Sequence, residues 1–214
     1  MWSSKMSVFD LATRIPLLVA VPWMPHSHGQ RSNALVEAVD LFPTLADIAG
    51  IPVPASEGLQ GTSLMPLLAQ PGGKGVKAAA LSQIPRCWQN ETTQGGKCGA
   101  EKNKTNSVYN MCDCHWAPAK YFAFMGYSMR VDSPFPLRYT EWLRWNGTRP
   151  HWDELFAREL YNHTGDTGAG VGPHGSAGDH FENENLAARP GLAPLVATLS
   201  VQLRREFSQY ILPD

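Results

Sequence analysis

One continuous apolar run, residues 15–21 (Ile-Pro-Leu-Leu-Val-Ala-Val), constrains this sequence more than any other feature. Strands that are buried on both faces of a parallel α/β sheet carry such runs. The run is far shorter than the roughly 20 residues that a bilayer span requires. It also lacks a small-residue cleavage site after it, which disfavours a signal peptide. We therefore predict a buried strand over residues 15–21.

The composition is that of a globular protein with many loops. Of the 214 residues, 43% are apolar, and 18 basic residues stand against 19 acidic ones. A net charge of −1 excludes the electrostatic footprint of a general nucleic-acid binder. The 17 prolines and 19 glycines predict short elements rather than a long helical bundle. We expect neither a membrane span nor a nucleic-acid partner.

Two further features indicate a secretory or lysosomal compartment. The chain has four cysteines and several Asn-x-Ser/Thr sequons. The glycosylation candidates are Asn90, Asn103, Asn146 and Asn162. Both N-linked glycans and disulfides belong to the secretory route. Because no signal peptide is visible, we expect that residue 1 is not the natural start of the protein.

All four cysteines lie in a polar stretch, residues 85–119, which we predict to be a long surface loop. Cys112, Cys114 and the following His115 invite a zinc interpretation, but a one-residue gap between thiolates fits a tetrahedral ion poorly. Two disulfides are the favoured alternative. Cysteines as close as Cys112 and Cys114 seldom pair with each other, so Cys87 and Cys98 should each pair with one of them.

Short helices are predicted in the first third of the chain. Asp40 is placed to accept the first amide groups of a helix over residues 41–49, and Gly50 suits its left-handed end. A second short helix should follow a hydroxyl cap within residues 62–68, with Pro66 in its first turn. A short apolar strand is predicted over residues 78–84.

The second half of the chain predicts antiparallel strands and a closing helix. Alternating residues on either side of the turn at 133–136 indicate a hairpin, and residues 159–161 add a strand. The final segment has apolar residues at helical spacing, which predicts one buried face. These are Leu192, Leu195, Val196, Leu199, Leu203, Phe207 and Tyr210.

Other candidate sites are weaker. Two pairs of loop histidines have a spacing that allows metal chelation, although loop histidines are usually solvated. They are His26 with His28, and His174 with His180. Trp142, Trp145 and Trp152 allow a sugar-stacking surface or simply a half-buried sheet. The sequence contains neither a Gly-x-Ser-x-Gly elbow nor a phosphate-binding glycine loop.

Several segments, in one order, resemble the sulfatase family. Residues 5–17 (Lys-Met-Ser-Val-Phe-Asp-Leu-Ala-Thr-Arg-Ile-Pro-Leu), 39–50 and 61–68 are similar to consecutive sulfatase segments. Four later segments are similar to the C-terminal part of sulfatases of the iduronate-2-sulfatase type. They are residues 125–130, 138–142, 159–163 and 184–187. The resemblance spans most of the chain apart from the loops at 87–118 and 165–180.

The resemblance implies an alkaline-phosphatase-like α/β fold, of which this chain supplies the last strands of the main sheet and a C-terminal antiparallel subdomain with a closing helix. It divides the chain into the end of the sulfatase α/β domain (1–84), the cysteine-containing loop (85–119) and a C-terminal α+β subdomain (120–214). The upstream part of the sulfatase domain would be its structural partner.

The resemblance also implies hydrolysis of sulfate esters on uronic-acid-containing glycans. Family members use a formylglycine, made within a Cys/Ser-x-Pro-x-Arg motif, and a calcium ion. This sequence has no such motif, and we expect no calcium ligands among its residues. Only Lys5 matches a family catalytic position, a lysine that contacts the sulfate. The rival hypothesis is a non-catalytic secreted module that binds carbohydrate or a protein partner.

Overall fold

The structure is a computed structural model that describes residues 7–87, 119–166 and 180–208. Its centre is a four-stranded antiparallel sheet with strand order β1-β2-β3-β4. The strands are β1 (Ala79–Cys87), β2 (Phe122–Val131), β3 (Leu137–Trp145) and β4 (Pro150–Asn162). The predicted hairpin is confirmed as β2 and β3, with Val131 opposite Leu137. The predicted third strand is also present, but β4 is much longer than residues 159–161.

Helix α4 (Ala193–Ser208) covers one face of this sheet. Its buried residues are Val196, Leu199, Leu203 and Phe207, which confirms this part of the predicted apolar face, whereas Tyr210 lies outside the described residues. They pack against alternate residues of the strands, including Met129, Tyr139, Leu143 and Leu160, which are 0% exposed. Because side chains alternate along a strand, the residues between these point to the opposite face. We call β1–β4 with α4 the sheet–helix unit.

A buried carboxylate fixes α4 to the sheet. Glu141 on β3 is fully buried, and the Ser200 hydroxyl of α4 donates to its Oε1 at 2.6 Å. The Arg204 guanidinium donates to its Oε2 at 3.0 Å. The Tyr139 hydroxyl donates to the same carboxylate at 2.8 Å. Charge-assisted bonds of this kind satisfy an ion that would otherwise be costly to bury.

Residues 7–69, which we call the N-terminal segment, form only short helices. They are α1 (Asp10–Thr13), α2 (Leu41–Ile48) and α3 (Met65–Ala69). Helix α2 confirms the prediction, and Gly50 has the left-handed φ of 66° expected at its end. Asp40, however, does not cap α2, because its Oδ1 and Oδ2 accept the backbone amides of Thr62 and Glu37. Helix α3 confirms the second predicted helix; its N-cap residue is Leu64, and the hydroxyl of the preceding Ser63 accepts the Met65 amide at 3.3 Å.

The predicted buried strand over residues 15–21 is wrong for this structure. These residues form no strand, and Ile15 and Leu18 are 57% and 89% exposed. Only Val21 is buried. None of the four strands of the described sheet pairs with this segment. An apolar run of this kind favours burial, but the described residues leave all of it except Val21 exposed.

Strand β1 begins one residue later than predicted and continues to Cys87. It pairs with β2, so the sheet crosses the proposed domain boundary at residue 84. The division into three segments stays a prediction. None of the described helices has the length and apolar character that crossing a bilayer requires.

Candidate functional site

A cluster of charged side chains joins the N-terminal segment to the face of the sheet away from α4. We call it the charge cluster, and its members are Asp10, Arg14, Arg138, His163, Asp166 and Glu182. Asp10 and Arg14 lie in and directly after α1, and Arg138 lies on β3. His163 and Asp166 follow β4, and Glu182 lies in the turn at His180–Glu182. The cluster therefore ties four parts of the chain together.

Arg138 is the centre of the charge cluster and is 3% exposed. Its guanidinium binds the Asp10 carboxylate and donates from Nε to Glu182 Oε1 at 2.6 Å. The nitrogen that binds Asp10, Nη2, also donates to the Thr13 hydroxyl at 3.2 Å. The Asp10 amide in turn donates to Glu182 Oε2 at 2.7 Å. A planar guanidinium suits this double carboxylate contact, which a lysine cannot reproduce.

His163 completes the charge cluster and is 1% exposed. Its Nδ1 lies 3.0 Å from Asp166 Oδ2, and its Nε2 lies 3.3 Å from Glu182 Oε1. Arg14 donates to Asp166 Oδ2 at 3.0 Å. Burial alone lowers the pKa of His163, but hydrogen bonds to Glu182 and Asp166 and the charge of Asp10 outweigh it and raise that pKa above its ordinary value.

By distance alone, Asp10, His163 and Glu182 are a candidate metal site. One ligand atom from each lies within 4.8 Å of the others. Their chemistry does not fit the expected calcium ion, which prefers six to eight oxygen ligands, because one of these three donors is an imidazole nitrogen. The Arg138 guanidinium also contacts both carboxylates and already supplies their countercharge. We therefore assign the charge cluster a structural role and no metal.

A second buried ion group organises the N-terminal segment. Lys77 binds Glu37 and lies 2.6 Å from Asp40 Oδ1. Burial lowers the pKa of Lys77, but the two carboxylates outweigh this and raise it. Glu37 also accepts the amide of Leu81 on β1 at 2.9 Å. This group attaches the start of α2 to the edge strand of the sheet.

The catalytic candidate lies outside the described residues. Lys5 precedes α1, whose Asp10 is five positions later in the sequence and is bound by Arg138. The charge cluster thus fixes the segment that follows Lys5. The sequence interpretation did not identify the charge cluster. Asp10, Arg14, Arg138 and His163 lie in segments that carry the family resemblance, whereas Asp166 and Glu182 lie outside them, and only the fold brings the six together.

The cysteine predictions also fall outside the described residues. Cys98, Cys112 and Cys114 lie outside, and Cys87 is described only as backbone of β1. Asn90 and Asn103 lie outside as well, whereas Asn146 and Asn162 are exposed. Disulfides and glycans therefore stay predictions.

The described residues do not form the alternative sites, which are the histidine pairs and the tryptophan surface. His28 donates from Nε2 to the Val21 carbonyl at 2.9 Å, and no group of three metal ligands among the described residues contains His26 or His28. His174 and the side chain of His180 lie outside the described residues. Trp145 and Trp152 pack with the core beneath α4, whereas Trp142 lies on the opposite face. The three tryptophans therefore do not form a common sugar-stacking surface.

Comparisons with known proteins agree with the architecture. Residues 1–82 match the family model described as N-sulphoglucosamine sulphohydrolase, C-terminal. Arylsulfatase K of Xenopus laevis is 35% identical over 120 residues, which cover 56% of this chain and 20% of that protein. Iduronate 2-sulfatase of Mus musculus is 38% identical and is matched over 24% of this chain and 13% of its own length. The chain thus spans about a fifth or less of these relatives.

Solved structures support the fold independently. A phosphonate monoester hydrolase from Silicibacter pomeroyi aligns with a TM-score of 0.56 at 20% identity, covering 97% of this chain and 31% of that one. A phosphonate monoester hydrolase of Agrobacterium radiobacter aligns with a TM-score of 0.51 at 19% identity, covering 89% and 28% of the two chains. These enzymes have the alkaline-phosphatase-like fold that the sequence predicts. The chain is thus similar in sequence to the C-terminal portion of sulfatases, and its architecture is that of the alkaline-phosphatase-like fold.

Proposed function

We propose that this chain is the C-terminal part of a sulfatase that hydrolyses sulfate esters on uronic-acid-containing glycans. Two of the matching names refer to sugars, an iduronate and N-sulphoglucosamine, which supports a sugar sulfate as substrate. Arylsulfatase K matches over a larger share of the chain, so an aryl sulfate is the competing substrate class.

The main support for the proposal is the position of Lys5. It lies in the matched segment, and the charge cluster binds the residues that follow it. A lysine ammonium is a compact positive charge that stabilises the negative charge developing on the oxygens of a transferring sulfuryl group. We propose this role for Lys5, with Asp10 and Arg138 as positioning residues that hold its segment against the sheet.

The remaining catalytic groups would come from other parts of the protein. Neither a Cys nor a Ser in this sequence begins a Cys/Ser-x-Pro-x-Arg motif, from which the proposed formylglycine nucleophile would be made. The proposed calcium ion would likewise need ligands other than the charge cluster. One lysine replaces neither a covalent nucleophile nor a divalent cation, so we expect the chain alone to be inactive.

The proposal is tested on a longer protein whose upstream coding sequence supplies the nucleophile motif. Release of sulfate is measured from a sulfated uronic-acid disaccharide and from an aryl sulfate. We expect Lys5→Ala to lower kcat by about 10² to 10³-fold, as removal of one charge-stabilising donor typically does.

Lys74→Ala is the matched control, because Lys74 is an exposed lysine of the N-terminal part of the chain, and it should leave activity unchanged. Full activity of the Lys5→Ala protein would contradict the role of Lys5. An upstream sequence without the nucleophile motif would contradict the enzyme hypothesis and favour the binding module.

We also propose a lysosomal or secreted location. Asn146 is exposed in the turn between β3 and β4, and its Oδ1 accepts the Thr148 hydroxyl at 2.9 Å. Asn162 is exposed at the end of β4. Both are therefore accessible to a glycosylating enzyme. N-linked glycans here and disulfides among the four cysteines would belong to the same oxidising route.

A further inference from the structure

We infer that His163 is a proton-dependent contact, which holds the segment 7–14 on the sheet while both of its ring nitrogens carry protons and loosens that hold when one proton is lost. This inference concerns the fold of the described residues and does not depend on the proposed activity. It would make the attachment of the segment that follows Lys5 strongest in an acidic compartment.

The positions of the two ring nitrogens are the first evidence. Nδ1 faces Asp166 Oδ2 at 3.0 Å, and Nε2 faces Glu182 Oε1 at 3.3 Å. A neutral imidazole has one N–H, so one of its nitrogens would direct a lone pair at a carboxylate oxygen. Only the imidazolium donates on both sides. The geometry thus fits the doubly protonated ring.

The charge balance is the second evidence. Asp10, Asp166 and Glu182 are 7%, 5% and 6% exposed in their side chains, so three carboxylates are nearly buried. Arg138 from β3 and Arg14 from α1 bring two guanidiniums. Buried charges are stable when they are paired. Protonated His163 supplies the third positive charge that these groups require.

The other elements packed around His163 do not alter this balance. Arg130 on β2 is the remaining cation that acts on it, and its charge lowers the pKa of His163. Arg130 pairs with Asp132, at 3.1 Å, and its charge also acts on Asp10 and Asp166. With this pair included, four carboxylates face three guanidiniums, so one positive charge is still required. Phe181 contributes no charge and stacks on the imidazole with ring centroids 5.9 Å apart. The His163 backbone amide donates to the Pro136 carbonyl at 2.8 Å and anchors the ring to the β2–β3 turn.

The direction of the pH effect follows from linkage. The carboxylates raise the pKa of His163 in the folded chain above its value in the unfolded chain. Protonated His163 therefore stabilises the folded state fully at pH values below the unfolded pKa, near 6.5. This contribution decreases as the pH rises through the folded-state pKa. The attachment of residues 7–14 should weaken over the same range.

The first experiment uses the wild-type chain and needs no variant. Correlation spectra between the ring protons and nitrogens distinguish an imidazolium from either neutral tautomer. We expect His163 to be an imidazolium at pH 5 and to titrate at a higher pH in the folded chain than in the urea-unfolded chain. A single protonated nitrogen at pH 5, or titration at or below the pH found in urea, would overturn the inference.

The second experiment measures hydrogen exchange of the Asp10 amide, corrected for intrinsic exchange, between pH 5 and 8. In the wild type its protection should fall as the pH rises. In His163→Gln, protection should be reduced at pH 5 and should no longer follow this pH dependence. The control His151→Gln removes a partly exposed histidine of β4 and should behave like the wild type.

A third variant separates the electrostatic role of His163 from simple packing. Asp166→Asn keeps the side-chain shape but removes the charge facing Nδ1, so His163 should titrate at a lower pH than in the wild type. Asp132→Asn, which alters a carboxylate 48% exposed in its side chain, is the matched control and should cause a smaller shift. If His163 titrates at the same pH in the wild type and in Asp166→Asn, the proposed contact is contradicted.

Discussion

In the sheet–helix unit, large apolar side chains meet in one core beneath α4, whereas in the N-terminal segment many of them lie on the surface. Twelve of the fifteen exposed large apolar side chains in the described residues fall between residues 11 and 59. Phe42, Leu45 and Ile51, for example, are 61%, 62% and 61% exposed. Leu203 and Leu143 in the sheet–helix unit are 0% exposed.

This difference shows that the two regions are organised by different forces. The sheet–helix unit is held by apolar burial, the dominant favourable term in folding. The N-terminal segment is attached through two buried ion groups, the charge cluster and the Lys77 group, and through a ring contact between Phe9 and Tyr161 of β4 at 5.7 Å. Exposed apolar patches of this kind usually mark an interaction surface. The exposed side chains around residues 15–21 and α2 are consistent with packing against the proposed upstream part of the sulfatase domain.

The largest predicted effect comes from Arg138→Met, which removes the guanidinium between the two regions. Asp10 and Glu182 would be left buried without their main countercharge, and breaking a buried ion pair from one side typically costs about 3 to 5 kcal/mol. We expect amides of residues 7–14 to lose their protection from hydrogen exchange, while α4 keeps its own.

Arg189→Met is the control for that variant, because Arg189 pairs with Glu184 on the surface. Exposed pairs contribute about 0 to 1 kcal/mol, so its effect should be small. If Arg138→Met unfolds α4 together with residues 7–14, the two regions form one cooperative unit and the comparison fails.

The next effect contrasts one leucine from each region. Leu203→Ala should lower the free energy of unfolding by about 2 to 5 kcal/mol, because it leaves a cavity in the core. Leu18→Ala should change it by less than about 0.5 kcal/mol, since Leu18 is 89% exposed. Urea denaturation monitored by tryptophan fluorescence measures both. A loss at Leu18 similar to that at Leu203 would show that Leu18 is buried in solution and would contradict the comparison.

The sequence predicted local elements well where the pattern was regular and the partners were nearby. The hairpin and α4 are set by alternation and helical spacing, and both bury their apolar faces within the sheet–helix unit. The prediction of a buried strand over residues 15–21 failed because an apolar run indicates a preference for burial and does not identify the segment that covers it. Asp40 also failed as a helix cap, since more distant amides, including that of Thr62, compete for its carboxylate.

The charge cluster was beyond prediction for a different reason. Asp10, Arg138 and Glu182 are far apart in the sequence, and each one alone resembles a surface charge. Only the pairing of β3 with β4 and the return of the chain at residues 180–182 place them together. Family resemblance marked the segments that contain Arg138 and His163, but it did not reveal that these residues touch.

The smallest predicted effect concerns the face of the sheet away from α4. It tests whether the polar groups on this face are as fully paired as Glu141 is beneath α4. Glu159 on β4 accepts the Trp142 indole N–H at 3.1 Å through Oε1, but its buried Oε2 has no hydrogen-bond partner among the residues that the structure describes. Burial is the main cause that raises the pKa of Glu159, and the charge of Glu182 adds to it. An acid with a raised pKa destabilises the folded state above its unfolded pKa, and this cost disappears at lower pH.

Glu159→Gln should therefore stabilise the chain at pH 7, because the amide carries no charge whose burial opposes folding. At pH 4 or below, where the wild-type carboxyl is protonated, the two proteins should be equally stable. Glu154→Gln, at a side chain that is 50% exposed, is the control and should show little change at either pH. Urea denaturation at both pH values measures the difference.

A loss of stability in Glu159→Gln at pH 7 would mean that attraction to Arg86, which lies 5.2 Å from the Trp142 ring, outweighs the cost of burial. In that case this face of the sheet would, like the N-terminal segment, depend on its charges.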